Sequence, residues 1–300
     1  MTEQQYATCP ACGSEDIFPF RQTLDYRLTQ EAFALDKCPQ CGLVMTNPRP
    51  SQEEIGKYYD TEDYISHAAS ARSVMDRIYY WVRSRMAQRK RHLIGSFTTG
   101  RSLLDIGAGA GYFTADMQRH GWEVTGFEPS AQARLAAHEA HGVSLQDMDQ
   151  LFEQPDRSAD AVTMWHVLEH VHQLDAYLRT IHRILKTNGV FFLALPNYTC
   201  ADAQFYRAEW AAWDVPRHLW HFSPEAAGRI LDRYGFNLIT TYRMPFDAWY
   251  VALVSEQYRG GGFLRTLRAA VIALVSNGVA LCSRRRSSSL IYVARKQTHA

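Results

Sequence analysis

A glycine-rich turn in the first half of the chain carries the residues best suited to hold a ligand. Asp105 stands near the end of an apolar segment, and glycines follow at every second position. These glycines are Gly107, Gly109 and Gly111. Glycines leave backbone N–H groups uncovered and let a ligand approach with no Cβ in the way. A second apolar segment ends in Glu128, and an acid at the tip of the second strand commonly binds a ribose diol. The pattern predicts a strand–turn–helix site for a nucleotide-like ligand.

The glycine spacing separates this turn from a dinucleotide site. Tyr112 occupies the position at which G-x-G-x-x-G requires its third glycine. That glycine lets the helix pack closely beneath a pyrophosphate, and Tyr112 does not. Residues 104–111, together with Glu128, instead resemble the first motif and the second-strand acid of class I S-adenosylmethionine (SAM)-dependent methyltransferases. The resemblance implies SAM as methyl donor, with Asp147 near its adenine. The implied cofactor contacts are Asp105, Gly107, Gly109, Gly111, Glu128, Asp147 and Trp165.

Four cysteines form two copies of a C-P-x-C-G turn. Cys9 and Cys12 belong to the first copy and Cys38 and Cys41 to the second, with 25 residues between the copies. Each turn aims two thiolates at one point, and the glycine after it permits the left-handed backbone that lets N–H groups point at sulfur. The spacing predicts a structural zinc ion with four cysteine ligands. Disulfide pairing is the alternative, which a reducing compartment disfavours.

A polar cluster follows the predicted fourth strand. His166, Glu169 and His170 come directly after Trp165, and their spacing matches the H-x-x-E-H motif of inverted zinc proteases. We reject the protease interpretation because the motif lies within a βαβ series that carries a glycine-rich turn. The methyltransferase resemblance places His166 beside the donor. Some ubiquinone-pathway O-methyltransferases bind a divalent cation with a similar cluster whose first residue is an acid, so metal binding and a packing role both stay open here.

The loop after the predicted fifth strand, residues 213–223, is the second candidate for chemistry. It contains two histidines, an arginine and two tryptophans, and binding and catalytic residues lie disproportionately on loops. In an open parallel sheet the ligand crevice lies beyond the carboxyl ends of the strands, so we expect this loop to lie over the reacting methyl group. His221 and His218 are the first candidates for the catalytic base, with His166 next; a structural lid is the alternative. The run resembles one found in zinc-ribbon methyltransferases of surface-polysaccharide gene clusters.

Alternating strands and helices must position these residues. The apolar and capping patterns predict strands over residues 101–107, 122–128, 143–147, 160–165, 190–195, 237–243 and 289–295. They predict helices over residues 71–97, 112–120, 130–141, 174–186 and 224–234. The alternation predicts a mostly parallel α/β sheet with right-handed crossovers, the Rossmann-like fold of class I methyltransferases. We expect a zinc ribbon over residues 1–46, a linker and basic helix over 47–100, and the methyltransferase domain over 101–300.

Composition narrows the partners and the compartment. A net charge of +1 provides no general field to recruit nucleic acid, and residues 1–46 carry three basic residues against six acidic ones. Hydrophobic residues make up 46% of the chain, which is ample for a core. The first residues are polar, so we expect no signal peptide. No apolar run reaches the ~18 residues of a membrane-spanning helix, and we expect a cytoplasmic protein.

An insertion over residues of about 245–287 separates the last two predicted strands. Its centre places apolar residues on one helical face; these are Leu264, Leu267, Val271, Leu274 and Val275. Arginines precede and follow the apolar run. Peripheral contact with a membrane through residues 263–286 is one interpretation, and packing against the domain or against a second copy is the other.

Together the patterns predict an enzyme that transfers a methyl group in line from SAM to an acceptor. The acceptor we expect is a small or lipid-linked molecule, such as a sugar or a polyprenyl or quinone-type intermediate. Three alternatives remain: a zinc-ribbon rRNA or tRNA methyltransferase, a non-catalytic SAM-binding protein, and an oxidoreductase.

Overall fold

The structure is a computed structural model that describes residues 6–59, 74–260 and 262–297, with side chains from residue 80 onward in the first helix. The predicted start of that helix, residues 71–73, lies outside the described residues. The strands are β1 Phe18–Leu24, β2 Ala32–Lys37, β3 Val44–Thr46, β4 Ser102–Ile106, β5 Glu123–Phe127, β6 Ala159–Trp165, β7 Leu185–Pro196, β8 Trp220–His221, β9 Phe236–Arg243 and β10 Ser289–Lys296.

The α-helices fall mostly between the later strands. They are α1 Val74–Phe97, α2 Tyr112–Arg119, α3 Ala131–His141, α4 Leu174–Ile184, α5 Ala201–Tyr206, α6 Pro224–Arg233, α7 Pro245–Tyr258 and α8 Arg265–Cys282. The chain divides into two compact units, and each is made of several segments. The first unit comprises Met1–Tyr59, His166–Tyr177 and Leu193–Ala294; the second comprises Asp60–Trp165, Leu178–Phe192 and Arg295–Ala300.

The second unit contains a parallel sheet built on β4. The strand order there is β5-β4-β6-β7, and β4 pairs in parallel with both β5 and β6. Leu103, Ile106 and Val162 are fully buried in these strands, as expected for a parallel sheet covered on both faces. Ile106 aligns with Phe127 and with Met164, so these three strands end at the same level. The predicted Rossmann-like α/β fold is confirmed.

The first unit contains the end of β7, strands β9 and β10, and a second, smaller sheet. The end of β7 is followed in strand order by β10 and β9. The small sheet has the order β1-β2-β3-β8 and is antiparallel. Met45 of β3 aligns with Trp220 of β8, and Val44 with His221. The loop at residues 213–223 therefore contributes a strand to the sheet of the cysteine-bearing segment.

Two predicted elements differ in the structure. Residues 143–147 form no strand beyond a single bridge between Phe127 and Gln146, because Asp147 immediately starts a 3-10 turn and caps it with its side chain. The predicted helix over 174–186 ends at Ile184, and β7 begins at Leu185. The carbonyls of Arg183 and Ile184 accept hydrogen bonds from the backbone before β6, which draws the chain out of the helix.

The caps of α3 match the sequence prediction. The Ser130 hydroxyl accepts a hydrogen bond from the Ala133 N–H at 3.3 Å, and Gly142 ends the helix with φ of 68°. An N-cap of this kind contributes about 1 kcal/mol to stability. Such signals are local, which explains why the prediction succeeds.

The insertion folds as two helices, α7 and α8, that pack against each other. Within the described chain, Arg265–Cys282 is long and apolar enough to cross a membrane, judged by length and composition alone. The helix reaches this length only because it includes Arg265, Thr266 and Arg268 before the apolar run that begins at Ala269.

Candidate functional site

Asp105 fixes the base of the glycine turn from within the second unit. It is buried, and its two carboxylate oxygens accept hydrogen bonds from the hydroxyls of Thr114 at 2.9 Å and Thr163 at 2.8 Å. Burial raises the pKa of this carboxyl above its usual range, against the effect of the two hydroxyls. Asp105 thus ties β4 to α2 and β6.

All three glycines of the loop adopt left-handed backbone angles. Their φ values are 73° at Gly107, 55° at Gly109 and 74° at Gly111. A Cβ at Gly109 would meet nothing within 4 Å, whereas a Cβ at Gly111 would lie 2.7 Å from the Cβ of Ala137. Gly109 therefore borders open space, and Gly111 is required for α3 to pack beneath the loop.

This difference gives a prediction for stability. Gly111→Ala should destabilise the protein by about 1–3 kcal/mol more than Gly142→Ala, because only the first substitution adds overpacking. Both positions carry a positive φ, 74° and 68°, so both variants share the backbone strain of about 1–2 kcal/mol, and Gly142 has open space around it. Urea unfolding of the two variants measures the difference. Equal losses would contradict the packing we describe.

Glu128 at the end of β5 is held by the glycine loop. Its Oε2 accepts a hydrogen bond from the Gly109 N–H at 2.9 Å, and its Oε1 accepts one from the Ser130 N–H at 3.0 Å. The residue is buried, and burial raises its pKa even though these two hydrogen bonds oppose the shift. Each oxygen retains a further lone pair, so the carboxylate can still accept a hydrogen bond from a ligand hydroxyl.

Aromatic and basic side chains surround Trp165 at the end of β6. Phe113 packs edge-on against Trp165, with ring centroids 5.6 Å apart. Lys90 Nζ of α1 lies 4.1 Å from the Trp165 ring centroid, and Arg83 lies over Tyr112 at 4.0 Å. These two cations of the predicted basic helix therefore stack on aromatic rings that flank the loop. Tyr112 and Phe113, which directly follow Gly111, were the sequence signal that could have predicted aromatic contacts at this loop.

The residues around the loop offer groups that can bind a nucleotide-like ligand such as SAM. The buried Nε1 of Trp165 has no hydrogen-bond partner among the described residues, and a buried donor of this kind normally has one. Open space borders Gly109, and no side chain caps the N-terminus of α2, which starts at Tyr112. Asp147 caps a 3-10 turn and pairs at 2.8 Å with Arg134, which also donates to the Glu128 carbonyl at 2.6 Å.

The four predicted zinc ligands come together in the first unit. One ligand atom from each of Cys9, Cys12, Cys38 and Cys41 lies within 4.8 Å of the others. The Sγ–Sγ distance is 3.5 Å for Cys9–Cys41 and for Cys12–Cys38. Four sulfurs at 2.3 Å from a tetrahedral zinc ion stand about 3.8 Å apart, so the thiols fit zinc and are too far apart for disulfides.

The turns around the cysteines have the expected backbone. Gly13 and Gly42 follow the two pairs with φ of 79° and 78°, and the Leu43 N–H donates to Cys41 Sγ at 3.4 Å. The left-handed glycines confirm the predicted turn geometry. N–H groups that point at sulfur stabilise thiolates, which are the form that binds zinc.

A buried ion pair joins the cysteine-bearing segment to the loop at residues 213–223. Arg217 Nη2 lies 2.8 Å from Asp25 Oδ1 and 2.8 Å from Asp214 Oδ1, and Nη1 donates to the Tyr58 carbonyl at 2.8 Å. Asp25 and Arg217 are both buried. Burial would raise the pKa of Asp25, but hydrogen bonds from Arg217 and Thr29 hold it below its usual value. Sequence reasoning did not connect these residues.

His218 and His221 are both buried in the first unit. His221 Nε2 lies 3.1 Å from the Thr46 hydroxyl, and His218 Nδ1 lies 2.9 Å from the Ala212 carbonyl. Burial lowers the pKa of His221 well below its usual value, with His218 adding to the shift. A neutral imidazole has the protonation state of a base, but the space beside these rings leaves no room for a water molecule.

His166 differs because part of its side chain, 32%, is exposed. It has a positive φ of 59°, and its two ring nitrogens lie 3.3 Å from Glu169 Oε1 and 3.1 Å from Asp247 Oδ2. Burial would lower the pKa of His166, but Asp247 and Glu169 raise it to about 10. At neutral pH this ring is therefore a cation between two carboxylates. Asp247 was missed from sequence because it lies in the insertion, 81 positions away.

Glu169, His170 and His218 form a second group whose ligand atoms lie within 4.8 Å of one another. Glu169 Oε1 has the His166 ring as its ion-pair partner at 3.3 Å, whereas Oε2 accepts no hydrogen bond from a described residue. His170 Nδ1 lies 3.0 Å from the Arg217 carbonyl, and His218 Nδ1 lies 2.9 Å from the Ala212 carbonyl. Nε2 of each ring is therefore left for other bonds. The group can hold a divalent cation by composition. His218 thus joins the cluster that the sequence motif had assigned to His166.

Curated proteins that resemble this chain are O-methyltransferases. The chain is 30% identical over 178 residues to the mitochondrial ubiquinone biosynthesis O-methyltransferase of Mus musculus, covering 53% of the chain and 48% of that protein. It is 32% identical over 133 residues to the ubiquinone biosynthesis O-methyltransferase of Xanthomonas oryzae pv. oryzae, covering 41% of the chain and 55% of that protein. The chain therefore spans about half the length of the curated relatives it matches.

Solved structures share the fold at low identity. The [4+2]-cyclase SpnF aligns with a TM-score of 0.54 at 18% identity, covering 84% of the chain and 98% of SpnF. The 1,6-didemethyltoxoflavin-N1-methyltransferase of Burkholderia thailandensis aligns with a TM-score of 0.51 at 16% identity, covering 94% of the chain and 100% of that enzyme. The family model of the methyltransferase domain matches residues 79–241. Because that match spans more than half of the chain, the protein belongs to the methyltransferase-domain family.

Proposed function

We propose that the protein is a SAM-dependent methyltransferase whose donor site is the glycine loop after β4. The observation that carries the proposal is the carboxylate of Glu128, held by the Gly109 N–H at 2.9 Å beside a glycine that borders open space. A ribose diol needs such a fixed acceptor. Bound SAM supplies a methyl group activated on a sulfonium; the chain's residues bind and orient it.

Each proposed donor contact has a role that its chemistry supports. Gly107, Gly109 and Gly111 keep the loop free of side chains, and Asp105 anchors it from below. Trp165 offers its unpartnered Nε1 and an apolar ring face. Asp147 stays a proposed adenine contact, which its position after β5 and α3 supports by resemblance alone.

The proton acceptor remains a proposal among His221, His218 and His166. A general base must reach the acceptor's proton, and His166 is the most exposed of the three side chains. Its two carboxylate partners favour the charged ring, so His166 would first act as a hydrogen-bond donor or a local positive charge. His218 and His221 would need the buried loop to open before either could serve.

The acceptor we propose is a small-molecule or lipid-linked compound, such as a sugar or a polyprenyl or quinone-type intermediate. Two curated relatives are named ubiquinone biosynthesis O-methyltransferases, which supports an acceptor of this class. The excess of acidic residues in residues 1–46 disfavours RNA, because phosphates would be repelled there. Cytoplasmic placement, with peripheral contact at the inner membrane surface, is part of the same proposal.

We also propose one structural zinc ion at Cys9, Cys12, Cys38 and Cys41. The mutual distances of the thiols and the two left-handed glycines support it. The ion would cross-link the two turns that flank β1 and β2, in a segment too small to be stable by burial alone.

Glu128→Ala should weaken SAM binding by roughly 10- to 150-fold. Loss of a hydrogen bond to a charged group costs about 1.5–3 kcal/mol, and the Gly109 N–H also loses its acceptor. Calorimetric titration with SAM measures the change. Glu139→Ala is the matched control, since Glu139 is exposed on α3, and it should bind SAM like the wild type. Equal affinities of the two variants would refute the donor site.

The acceptor class is tested separately with SAM labelled on its methyl group. A prenylated catechol and an rRNA transcript serve as the two probes. We expect label in the catechol and none in the RNA. Transfer to RNA would favour the zinc-ribbon rRNA or tRNA methyltransferase. The fold alone does not establish methyl transfer, since a [4+2]-cyclase shares it. A non-catalytic SAM-binding protein would label neither probe.

A further inference from the structure

The α7–α8 hairpin of the first unit buries its small side chains and exposes its large ones. The inward face of α8 consists of Ala269, Ala273, Ser276 and Ala280, all buried. Ala269 and Ala273 join a cluster with Trp210 and Trp213, and α8 packs chiefly on α7. A helix that served only as core packing would turn its leucines inward.

The outward face of α8 carries the large apolar residues. Its exposed members are Leu267, Val271, Leu274, Val275, Val279 and Leu281, and the exposed Leu264 directly precedes the helix. Tyr250 of α7 is 68% exposed, and Phe263, just before α8, is fully exposed at 100%. Trp249 of α7 is also exposed. A continuous apolar stripe of this kind marks an interaction surface.

The charge around this stripe has one sign. Residues 257–288 contain six arginines and no acidic residue, in a chain whose net charge is +1. Three of the six pair with acidic side chains: Arg259 with Glu209, Arg268 with Glu256 and Arg285 with Glu225. Arg265, Arg284 and Arg286 form no ion pair with any acid in the part of the chain that the structure describes. The stripe is therefore bounded by positive charge at both ends.

We propose that this outward face binds the surface of an anionic phospholipid bilayer, with α8 lying in the plane of the membrane. In that orientation the leucines and valines enter the acyl boundary while the arginines at both helix ends reach the headgroups. Trp249 and Tyr250 have the amphipathic rings that favour the membrane–water interface. Interfacial helices of this composition bind more tightly as the anionic lipid content rises.

The charge pattern separates this occupant from a second copy of the chain. Antiparallel packing of two α8 helices would bring Arg265 of one copy against residues 284–286 of the other, and parallel packing would align like with like. Spanning is disfavoured by the buried face of α8 and by the short return to the sheet, since β10 begins seven positions after α8 ends.

Co-sedimentation with phosphatidylcholine vesicles, with and without phosphatidylglycerol, tests the proposal on the full chain. We expect binding to the anionic vesicles that weakens as salt is added. Leu274→Glu should lower the partition coefficient at least roughly tenfold, since a leucine that the bilayer would bury is replaced by a charge. Leu135→Glu is the matched control: Leu135 is 58% exposed on α3 and Leu274 is 59% exposed. The control should bind like the wild type.

Arg284→Gln should weaken binding to anionic vesicles by roughly fivefold, and Arg119→Gln on α2 should not. SAM titration of the same variants keeps this result separate from the proposed enzyme activity. Absence of wild-type binding to anionic vesicles, or equal binding by Leu274→Glu and Leu135→Glu, would overturn the proposal. A concentration-dependent dimer that Leu274→Glu dissociates, without vesicle binding, would assign the face to a second copy instead.

Discussion

Replacement of Cys12 by serine is expected to abolish binding of the proposed zinc ion and to unfold more than the cysteine-bearing segment. Structural zinc sites contribute about 10–16 kcal/mol of binding energy, which exceeds the total stability of many domains. The loss should reach β8, because β3 pairs with it and the Thr46 hydroxyl donates to the His218 carbonyl at 2.8 Å. Metal analysis and hydrogen exchange measure the two effects, with faster exchange expected in β1–β3 and in residues 218–222.

Cys282→Ser is the control for this experiment. Cys282 is exposed and isolated, so this variant should retain one zinc ion per chain and wild-type exchange. Zinc retained by Cys12→Ser, or absent from wild-type protein purified without chelators, would contradict the site. If hydrogen exchange in Cys12→Ser becomes faster only in residues before 46, the pairing of β3 with β8 does not transmit the loss of stability.

Arg217→Ala should cost about 3–5 kcal/mol of unfolding free energy, because it leaves buried carboxylates without their cation. Asp25 and Asp214 both lose the guanidinium that lies 2.8 Å away. Urea unfolding measures the change. The pKa of Asp25 is lowered in the folded protein, so its contribution is present above the unfolded pKa, near 3.9, and is lost as pH falls through the lower, folded value.

Arg229→Ala controls for loss of an arginine as such. Arg229 is exposed on α6, and surface substitutions usually stay within about 0.5 kcal/mol. If Arg217→Ala is as stable as this control at neutral pH, the buried ion pair contributes nothing and the loop is held by other contacts.

Sequence reasoning succeeded where the signal was local. Ser130 and Gly142 cap α3 as predicted, and the glycines after the cysteine pairs adopt the left-handed backbone that their position required. The strand–turn–helix around Gly107–Gly111 follows from apolar runs and glycine spacing in one short segment. Each of these features depends on residues within a few positions, so no knowledge of distant contacts was needed.

The features that escaped prediction depend on residues far apart in the chain. The pairing of Met45 with Trp220 joins segments that no periodicity connects. The carboxylate of Asp247, which belongs to the insertion, lies 3.1 Å from the His166 ring. Lys90 of α1 stacks on the ring of Trp165. The sequence shows which residues are charged or aromatic, but tertiary packing determines which residues they contact.

Parallel calorimetric titrations of the wild-type chain with SAM and with NAD test the central claim most directly. The proposed donor loop has Tyr112 where a dinucleotide site needs glycine, and Glu128 is its proposed hydrogen-bond acceptor for the ribose. We predict one SAM bound per chain and no heat of binding with NAD. NAD binding, or the absence of SAM binding by folded protein, would contradict the assignment of the glycine loop as a methyl-donor site.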